Sequence, residues 1–569
     1  MTALADLHVL VLDCQASGAT PAHGDLLEIG WGIAGRAGLH GSVRQRFVIP
    51  RTERRVPAAV RELTGWSEAC LQDSVPEEVA WAELRRDMEL VAAHNGSWPV
   101  PAAIHYARFE LPFLHDLHAR LGGDGAFPLE ARCLHAIAAR LFPDLPRRNI
   151  RALAGYLGHS TDLVRRCSGH VEASAFIWTA LLPRLEQLGV RTADELAAWL
   201  EQRAPARPRG RRVFPYGSDK RRALPDAPGV YRFLRSNGDV LYVGKATSLK
   251  KRVASHFTAR TTIAKSKAPA ATTERALELL TQVHDIAVTV TPSILEAALL
   301  ESDEIKRIDP PYNVQLRRRE RSAWFASLDL GGAAPAPDAV HRIGPLPSER
   351  SLLGLCALVA LAGGRAPDPP LQACALAVPV AFLPPDELFA AGFLSFAAAH
   401  LGAPHPSARV RVDRGARALW LARGRAEPDV QEEQAPDEWD HARVVRRLER
   451  TLTGGSLLVR RARWLSLLAH ADVAFREPAM SAARAFALHG GSIVEPRELP
   501  SIGDLLTLPV RSVPPRAQRH AAFDAAVYDR MRVLATELQR VHEAGGELAV
   551  RIGSRLLSGA RLAAVLRWV

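Results

Sequence analysis

The stretch that most restricts how this chain can fold runs from Ala227 to Phe257 and reads APGVYRFLRSNGDVLYVGKATSLKKRVASHF. Gly229-Val230-Tyr231 and Leu241-Tyr242-Val243-Gly244 read as two strands. Ser236-Asn237-Gly238 between them is a turn signal, because Asn-Gly accepts the positive φ that short hairpin turns demand. Two antiparallel strands therefore face each other here, and each delivers one tyrosine. The stretch Lys245 to His256 places Leu249 and Val253 four apart with Arg252 on an adjoining face, which predicts a basic amphipathic helix. Residues 223–318 as a whole read as strand, strand, helix, strand, helix.

Further on lies SILEAALLESDEIKRIDPPYNVQL, residues 293–316. The tyrosine strands, Gly244-Lys245, Arg252 ten residues after Tyr242, and this later segment together resemble the GIY-YIG nuclease family as it occurs in UvrC and its shorter homologue Cho. The hairpin is one residue longer than that family's, and the stretch Thr258 to Ile286 is also extended. The resemblance implies a small α/β nuclease domain over residues 223–320. It implies that Glu301 holds a catalytic Mg²⁺ or Mn²⁺, that Arg252 lies on the scissile phosphate, and that Tyr231 and Tyr242 flank the attacking water. Asn313, twelve residues after Glu301, matches the family asparagine near the site, and Lys245 joins the same set. Glu296 shares the helix, but its spacing fits less well than that of Glu301.

The chemistry asks for the same residue types. Hydrolysis of a phosphodiester needs a deprotonated nucleophile, a Lewis acid and a cation for the developing charge, and one carboxylate suffices to anchor a Mg²⁺ that keeps most of its waters. Arg252 supplies a fixed positive fork. A tyrosine, with an ordinary pKa near 10, serves as a base only if nearby cations lower it, and Lys245 with Arg252 are the cations at hand.

Nearer the start, HVLVLDCQASGATPAHGDLLEIGWGIAG (residues 8–35) has strand-like apolar runs, Leu7 to Leu12, Leu26 to Ile33 and Val43 to Ile49, that predict an antiparallel sheet. Helical patterns follow at Trp81 to Ala93, Glu110 to Leu121, Leu134 to Leu141, Arg151 to Leu157 and Val171 to Leu188, with a short buried strand at Ala102 to His105. With VPAAVRELTGW, AAIHYARFELPFL, RCLHAIAARLF and CSGHVEASAFIW in order, residues 7–188 resemble the DnaQ-like 3′–5′ exonucleases, the DEDD group, with an RNase H-like mixed sheet and helices. That resemblance implies a two-metal site on four carboxylates. Asp13 keeps the first position, but the second falls on Gln15, a neutral and poorer ligand for a hard cation. Glu110 and Glu172 take the remaining places, each one methylene longer than aspartate. The motif histidine falls on Cys167, with His170 close by. These departures point to a weakened or inactive module that holds or positions DNA. His105, His135 and His170 read as core histidines more readily than as ligands.

The expected organisation is α/β and multidomain: a DnaQ-like domain over 1–200, a linker over 201–222, the GIY-YIG domain over 223–320, and a mainly helical or mixed region over 321–569. Residues 203–222, RAPARPRGRRVFPYGSDKRR, hold eight basic residues and three prolines, which predicts irregular structure. In the last region Ser351 to Ala362 and Arg516 to Arg540 read as helices. It shows no second nuclease pattern and no helix-hairpin-helix signature, so a single cut in the manner of Cho is expected rather than dual incision.

A formal charge of +12 favours a polyanionic partner such as DNA, although an arginine-rich, alanine-rich chain of this kind is equally the mark of a GC-rich genome. The six cysteines lack C-x-x-C spacing, so a zinc site or disulfide framework is not expected and a reducing cytoplasm is. No membrane span or export signal is expected. The leading expectation is a metal-dependent DNA endonuclease making a single-strand incision in repair, with other excision-repair proteins as candidate partners. Its rivals are a 3′–5′ exonuclease carrying an accessory GIY-YIG unit, and a non-catalytic DNA-binding adaptor.

Overall fold

The computed structural model describes residues 2–566 apart from 53, 123–124, 161–164, 203–212, 259–269, 314–322, 403–404, 423–437, 479, 516–517 and 520–522. The chain folds as two units, one of residues 1–292 with 310–313, the other of residues 293–309 with 314–569.

The first unit opens with β1 (Val9–Ala16), β2 (Leu26–Gly35) and β3 (Gly38–Val48), consecutive and antiparallel as the apolar runs predict. There follow α1 (Ala58–Thr64), a two-residue β4 (Ser74–Val75), α2 (Glu77–Asn95), β5 (Val100–Ile104), α3 (Ala107–Leu121), β6 (Leu129–Cys133), α4 (Leu134–Leu141), α5 (Ile150–Tyr156), α6 (Cys167–Gln187) and α7 (Ala193–Glu201). Strands β5 and β6 continue the sheet in parallel beside β1, giving the order β4-β3-β2-β1-β5-β6. All eight residues of β1 are buried, as they must be in a strand covered on both faces. Alternation divides them. Val9 and Val11 pack with Trp178 and Leu181 of α6, while Leu10 and Leu12 pack with Trp81, Leu84 and Met88 of α2.

The same unit continues with α8 (Ser218–Arg222), β7 (Gly229–Leu234), β8 (Val240–Ala246), α9 (Leu249–Thr258), α10 (Ala270–Gln282) and β9 (Asp285–Val290). The end of the basic stretch is thus helical rather than irregular, and residues 203–212 lie outside the described residues. The three strands form an antiparallel sheet in the order β8-β7-β9. Lys245 belongs to β8, not to the helix expected from that residue onward. The helix starts only at Leu249, where Ser248 Oγ accepts from the Lys251 N–H at 3.2 Å.

The second unit begins with α11 (Ile294–Ile308), capped by Ser293, whose side chain accepts from the Glu296 N–H. A small sheet of β10 (Trp324–Ser327), β11 (Ala333–Ala334) and β12 (His341–Leu346) follows. Next come helices Glu349–Ala362, Pro369–Leu376, Asp386–His400, Ala408–Ala422 and His441–Leu468. A five-stranded antiparallel sheet, β15-β14-β13-β16-β17, closes the unit. Its strands are β13 (Asp472–Arg476), β14 (Ala483–His489), β15 (Ser492–Leu499), β16 (Glu547–Ile552) and β17 (Arg555–Ser558). Sequence patterning did not resolve this sheet. The helix expected from Arg516 starts at Ala525 instead, where Asp524 caps it, and runs to Glu543. Leu295 and Leu299 place α11 in this unit's apolar core. Ion pairs Lys306–Asp529 (3.2 Å), Arg530–Asp303 (2.9 Å) and Arg484–Glu296 (2.8 Å) hold it there. Among the described residues no helix is long and apolar enough to cross a membrane.

Candidate functional site

The hairpin register sets the first part of the site. Tyr231 on β7 lies opposite Gly244 on β8, and Phe233 opposite Tyr242. Alternation therefore places Tyr231, Phe233, Tyr242 and Gly244 on one face. Gly244 is required there, since a Cβ would stand 2.5 Å from Tyr231 Oη and 2.8 Å from Tyr242 Cε1. The two tyrosine rings are 6.0 Å apart between centroids. Helix α9 completes the cluster. Its His256, one turn after Arg252, brings Nε2 to 2.7 Å from Tyr231 Oη. The sequence reading did not single out His256, although its i, i+4 spacing from Arg252 is a signal that could have found it.

Tyr231 is fully buried. Burial, then the neighbouring Tyr242, push its phenol above the ordinary range, and the Arg252 guanidinium opposes them without prevailing. For Tyr231 this runs against the expectation that nearby cations lower a tyrosine here. Part of the reason is positional: Lys245 falls on the opposite face of β8 from the two tyrosines. Arg252 itself is exposed on α9, where its charge is available to a polyanion.

Asn313 is buried and forms a strand-like clasp on β8. Its Oδ1 accepts from the Val243 N–H at 3.0 Å, and its Nδ2 donates to the Val243 carbonyl at 2.9 Å. Both groups lie on the free edge of β8, so the carboxamide replaces a missing neighbouring strand. Its contacts are with the backbone next to Tyr242. In the second unit, α11 carries both acids of the sequence reading. Glu296 is committed to Arg484, and Glu301 lies partly exposed two turns into the helix.

Around β1 the structure brings together some expected residues and separates others. Asp13 is buried and its Oδ2 lies 3.0 Å from His170 Nδ1. Glu110 on α3 is buried beside it, and burial, then the Asp13 charge, raise the Glu110 carboxyl well above the carboxylate range. Gln15 donates its Nε2 to the Arg165 carbonyl at 2.6 Å. Glu172, the third expected acid, is exposed. It follows His170 by two residues, a turn of about 200° around a helix, so it points away while His170 meets Asp13. Cys167 does not take the motif histidine's place either. It is fully buried, and its N–H donates to Glu28 Oε1 at 2.9 Å. His105 is a core histidine, bonded through Nε2 to the Arg148 carbonyl at 3.0 Å and pushed down to about 3 by burial and then by His135. Among the described residues no group of three or more His, Cys, Asp or Glu could hold a metal ion.

Comparison with known proteins locates one firm likeness. Residues 227–314 match the family model for the UvrC-like GIY-YIG domain. UvrABC system protein C of Alkalilimnicola ehrlichii is 48% identical over 104 residues, which are 18% of this chain and 15% of that protein. UvrABC system protein C of Legionella pneumophila strain Paris is 39% identical over 132 residues, 22% of this chain and 20% of the relative. The chain thus spans about a fifth or less of the length of these relatives. Among solved structures, the magnesium-bound GIY-YIG N-terminal endonuclease domain of UvrC from Thermotoga maritima is 28% identical, covering 17% of this chain and 93% of that one, with a TM-score of 0.14. Exonuclease X in complex with 5′ overhanging duplex DNA is 18% identical over 34% of this chain and 99% of its own, at a TM-score of 0.24. The chain carries a UvrC-like GIY-YIG domain at residues 227–314.

Proposed function

We propose that the chain is a divalent-metal-dependent DNA endonuclease that makes a single-strand incision in DNA repair, with residues 223–320 as its enzyme and Tyr231, Tyr242, Arg252 and Glu301 as its working groups. The observation that carries this reading is the cluster on the tyrosine hairpin: a buried Tyr231 held at 2.7 Å by His256, a partly exposed Tyr242 beside it, and an exposed arginine one turn from His256. It lies within the segment that matches the UvrC-like domain. The positive formal charge of +12 suits a DNA partner. The relatives are named for a UvrABC system, and we take other repair proteins of such a system as candidate partners and the cytoplasm as the place of action.

The residues fit a hard cation. By the resemblance, Glu301, a partly exposed carboxylate on α11, would hold Mg²⁺ or Mn²⁺, and a single carboxylate suffices for a Mg²⁺ that keeps most of its waters. Bound there, the metal supplies Lewis acidity to the phosphate. Arg252 binds the non-bridging phosphate oxygens and takes up the charge that develops on them. Tyr231 stays protonated and is hydrogen-bonded to His256 Nε2, so it orients rather than accepts a proton. Tyr242, the partly exposed phenol of the pair, orients the attacking water, whose proton leaves to solvent. Asn313 holds the strand that carries Tyr242, and Lys245, on the other face, meets the DNA backbone.

The exonuclease reading fares worse. Its site would need several carboxylates around β1, whereas Gln15 stands at the second position, Asp13 is paired with His170, and Glu172 is exposed. We assign the N-terminal domain a supporting role. The test is cleavage of labelled nicked, looped and damage-containing duplexes with Mg²⁺ or Mn²⁺. Loss of cutting in Glu301→Ala but not in Asp13→Ala is the expected result. Loss only in Asp13→Ala would make the chain an exonuclease, and DNA affinity with a steep salt slope and no cleavage would make it an adaptor.

A further inference from the structure

The N-terminal domain and the tyrosine hairpin share one unit, and the joint between them is polar, buried and specific. At its centre is Tyr312, the residue before Asn313. The Tyr312 hydroxyl donates to Glu278 Oε1 at 2.7 Å and accepts from Gln282 Nε2 at 2.5 Å, both on α10. Gln282 is fully buried and Glu278 nearly so. The other side of this arrangement comes from the N-terminal domain. Asn149, which caps α5, donates its Nδ2 to Glu278 Oε2 at 2.7 Å. Arg151 lies 3.5 Å from Glu278 Oε1 and places its guanidinium over the Tyr312 ring, 5.7 Å from the centroid.

We infer that α5 of the exonuclease-like domain is a positioning element for the nuclease site. It fixes Glu278, Glu278 fixes Tyr312, and the adjacent Asn313 pins the β8 backbone at Val243, next to Tyr242. Apart from the peptide bond between Tyr312 and Asn313, each link is a hydrogen bond or ion pair between buried or partly buried groups that lie far apart in sequence. Residues 149–151 belong to the first domain, 278–282 to α10, and 312–313 to the segment after α11. This arrangement gives the N-terminal domain a task that needs neither its own metal site nor contact with DNA. The proposal rests on the endonuclease reading for its catalytic consequence, but the mechanical link from α5 to Val243 stands apart from it.

The test uses the full chain. Asn149→Asp keeps the cap on α5 but sets a carboxylate against Glu278, and Tyr312→Phe removes only the hydroxyl between Glu278 and Gln282. Amide exchange at Val243 and the kcat and KM of incision are measured on both. Because a misplacement of about an ångström can cost up to about a hundredfold, each variant is expected to lower kcat by about tenfold, with KM for DNA held within about twofold. Val243 exchange should quicken by a similar factor. The pair Asn149→Asp with Glu278→Gln should restore both readouts, since the new amide can donate to the new carboxylate. Rates or exchange left at the wild-type level in the two single variants, or no restoration in the pair, would overturn the inference. If the wild type cuts no DNA, the endonuclease reading falls, and Val243 exchange alone still decides whether α5 holds the strand.

Discussion

Tyr231 and His256 should behave as one unit, and a double-mutant cycle can show it. Tyr231→Phe keeps the ring and removes a hydroxyl that is fully buried and 2.7 Å from His256 Nε2. A buried neutral hydrogen bond contributes about 1 kcal/mol net, and leaving Nε2 without that partner takes the cost to about 2 kcal/mol. His256→Ala removes the other partner and leaves the phenol without it, at similar cost. If the pair orients the site, each single variant loses kcat by at least about tenfold, the equivalent of about 1.4 kcal/mol in the transition state. The double variant should then lose no more than the worse single one, a coupling of about 1–2 kcal/mol. Single-turnover incision of a labelled duplex under saturating Mg²⁺ reads this directly. Losses that multiply, or a Tyr231→Phe rate within about twofold of wild type, would refute the claim that the hydroxyl and the imidazole act together.

Gly244→Ala should be more damaging than its size suggests, because its Cβ would stand 2.5 Å from Tyr231 Oη against a ring with no room to retreat. A thermal melt should report a loss of about 1–3 kcal/mol, together with loss of incision. Chelation of divalent metal should abolish incision while leaving DNA binding intact, measured by gel shift in the same buffer; binding lost with cutting would assign the metal to DNA capture instead. A pH effect is expected in the N-terminal domain. His105 is neutral in the fold down to about pH 3, whereas in the unfolded chain it protonates below about pH 6.5, so the unfolded state binds the extra proton in that window. Stability that is complete above about pH 6.5 should therefore decline as pH falls towards 3, and His105→Leu should flatten this part of the denaturation profile.

The hairpin was legible because its signals are local. Asn237-Gly238 dictates a turn, alternation dictates faces, and both follow from a few consecutive residues. Five helices near the start of the chain were legible for the same reason, one down to the bounds Leu134–Leu141, whereas α1 and α7 were not. What the sequence concealed depends on tertiary contacts. β6 carries Glu130 and Arg132, which interrupt its apolar pattern, yet Arg132 is buried and its charge is met by Glu130 at 2.7 Å. The direction of the Tyr231 shift follows from how deeply the ring is enclosed, a property that no spacing encodes. Glu172 is exposed on α6 although motif spacing groups it with Asp13: spacing counts residues, while the angular position of a helical side chain depends on where the helix meets the sheet, and that meeting point presents His170 to Asp13. Asn313 was found by resemblance, but its work on the Val243 backbone becomes visible only when β8 proves to be an edge strand.

The N-terminal domain should then tolerate change at its carboxylates and resist it at its docking face. Asp13 and His170 are hydrogen-bonded to one another, so Asp13→Asn leaves a hydrogen-bonding group in place and removes a buried charge. Gly155 on α5 has no such latitude. A Cβ there would stand 1.8 Å from Gln282 Oε1 and 2.5 Å from Gln282 Cδ. Gln282 cannot swing aside, because its Nε2 is bonded to Tyr312 and its Oε1 accepts from Arg235 Nε at 3.2 Å. Gly155→Ala should therefore cost about 1–3 kcal/mol by overpacking and lower incision, while Asp13→Asn changes neither stability nor cutting by a comparable amount. Denaturation and incision assays on the two variants side by side settle the matter. A tolerant Gly155 with an intolerant Asp13 would mean that the first domain is kept for chemistry at β1 rather than for the support it gives to β8.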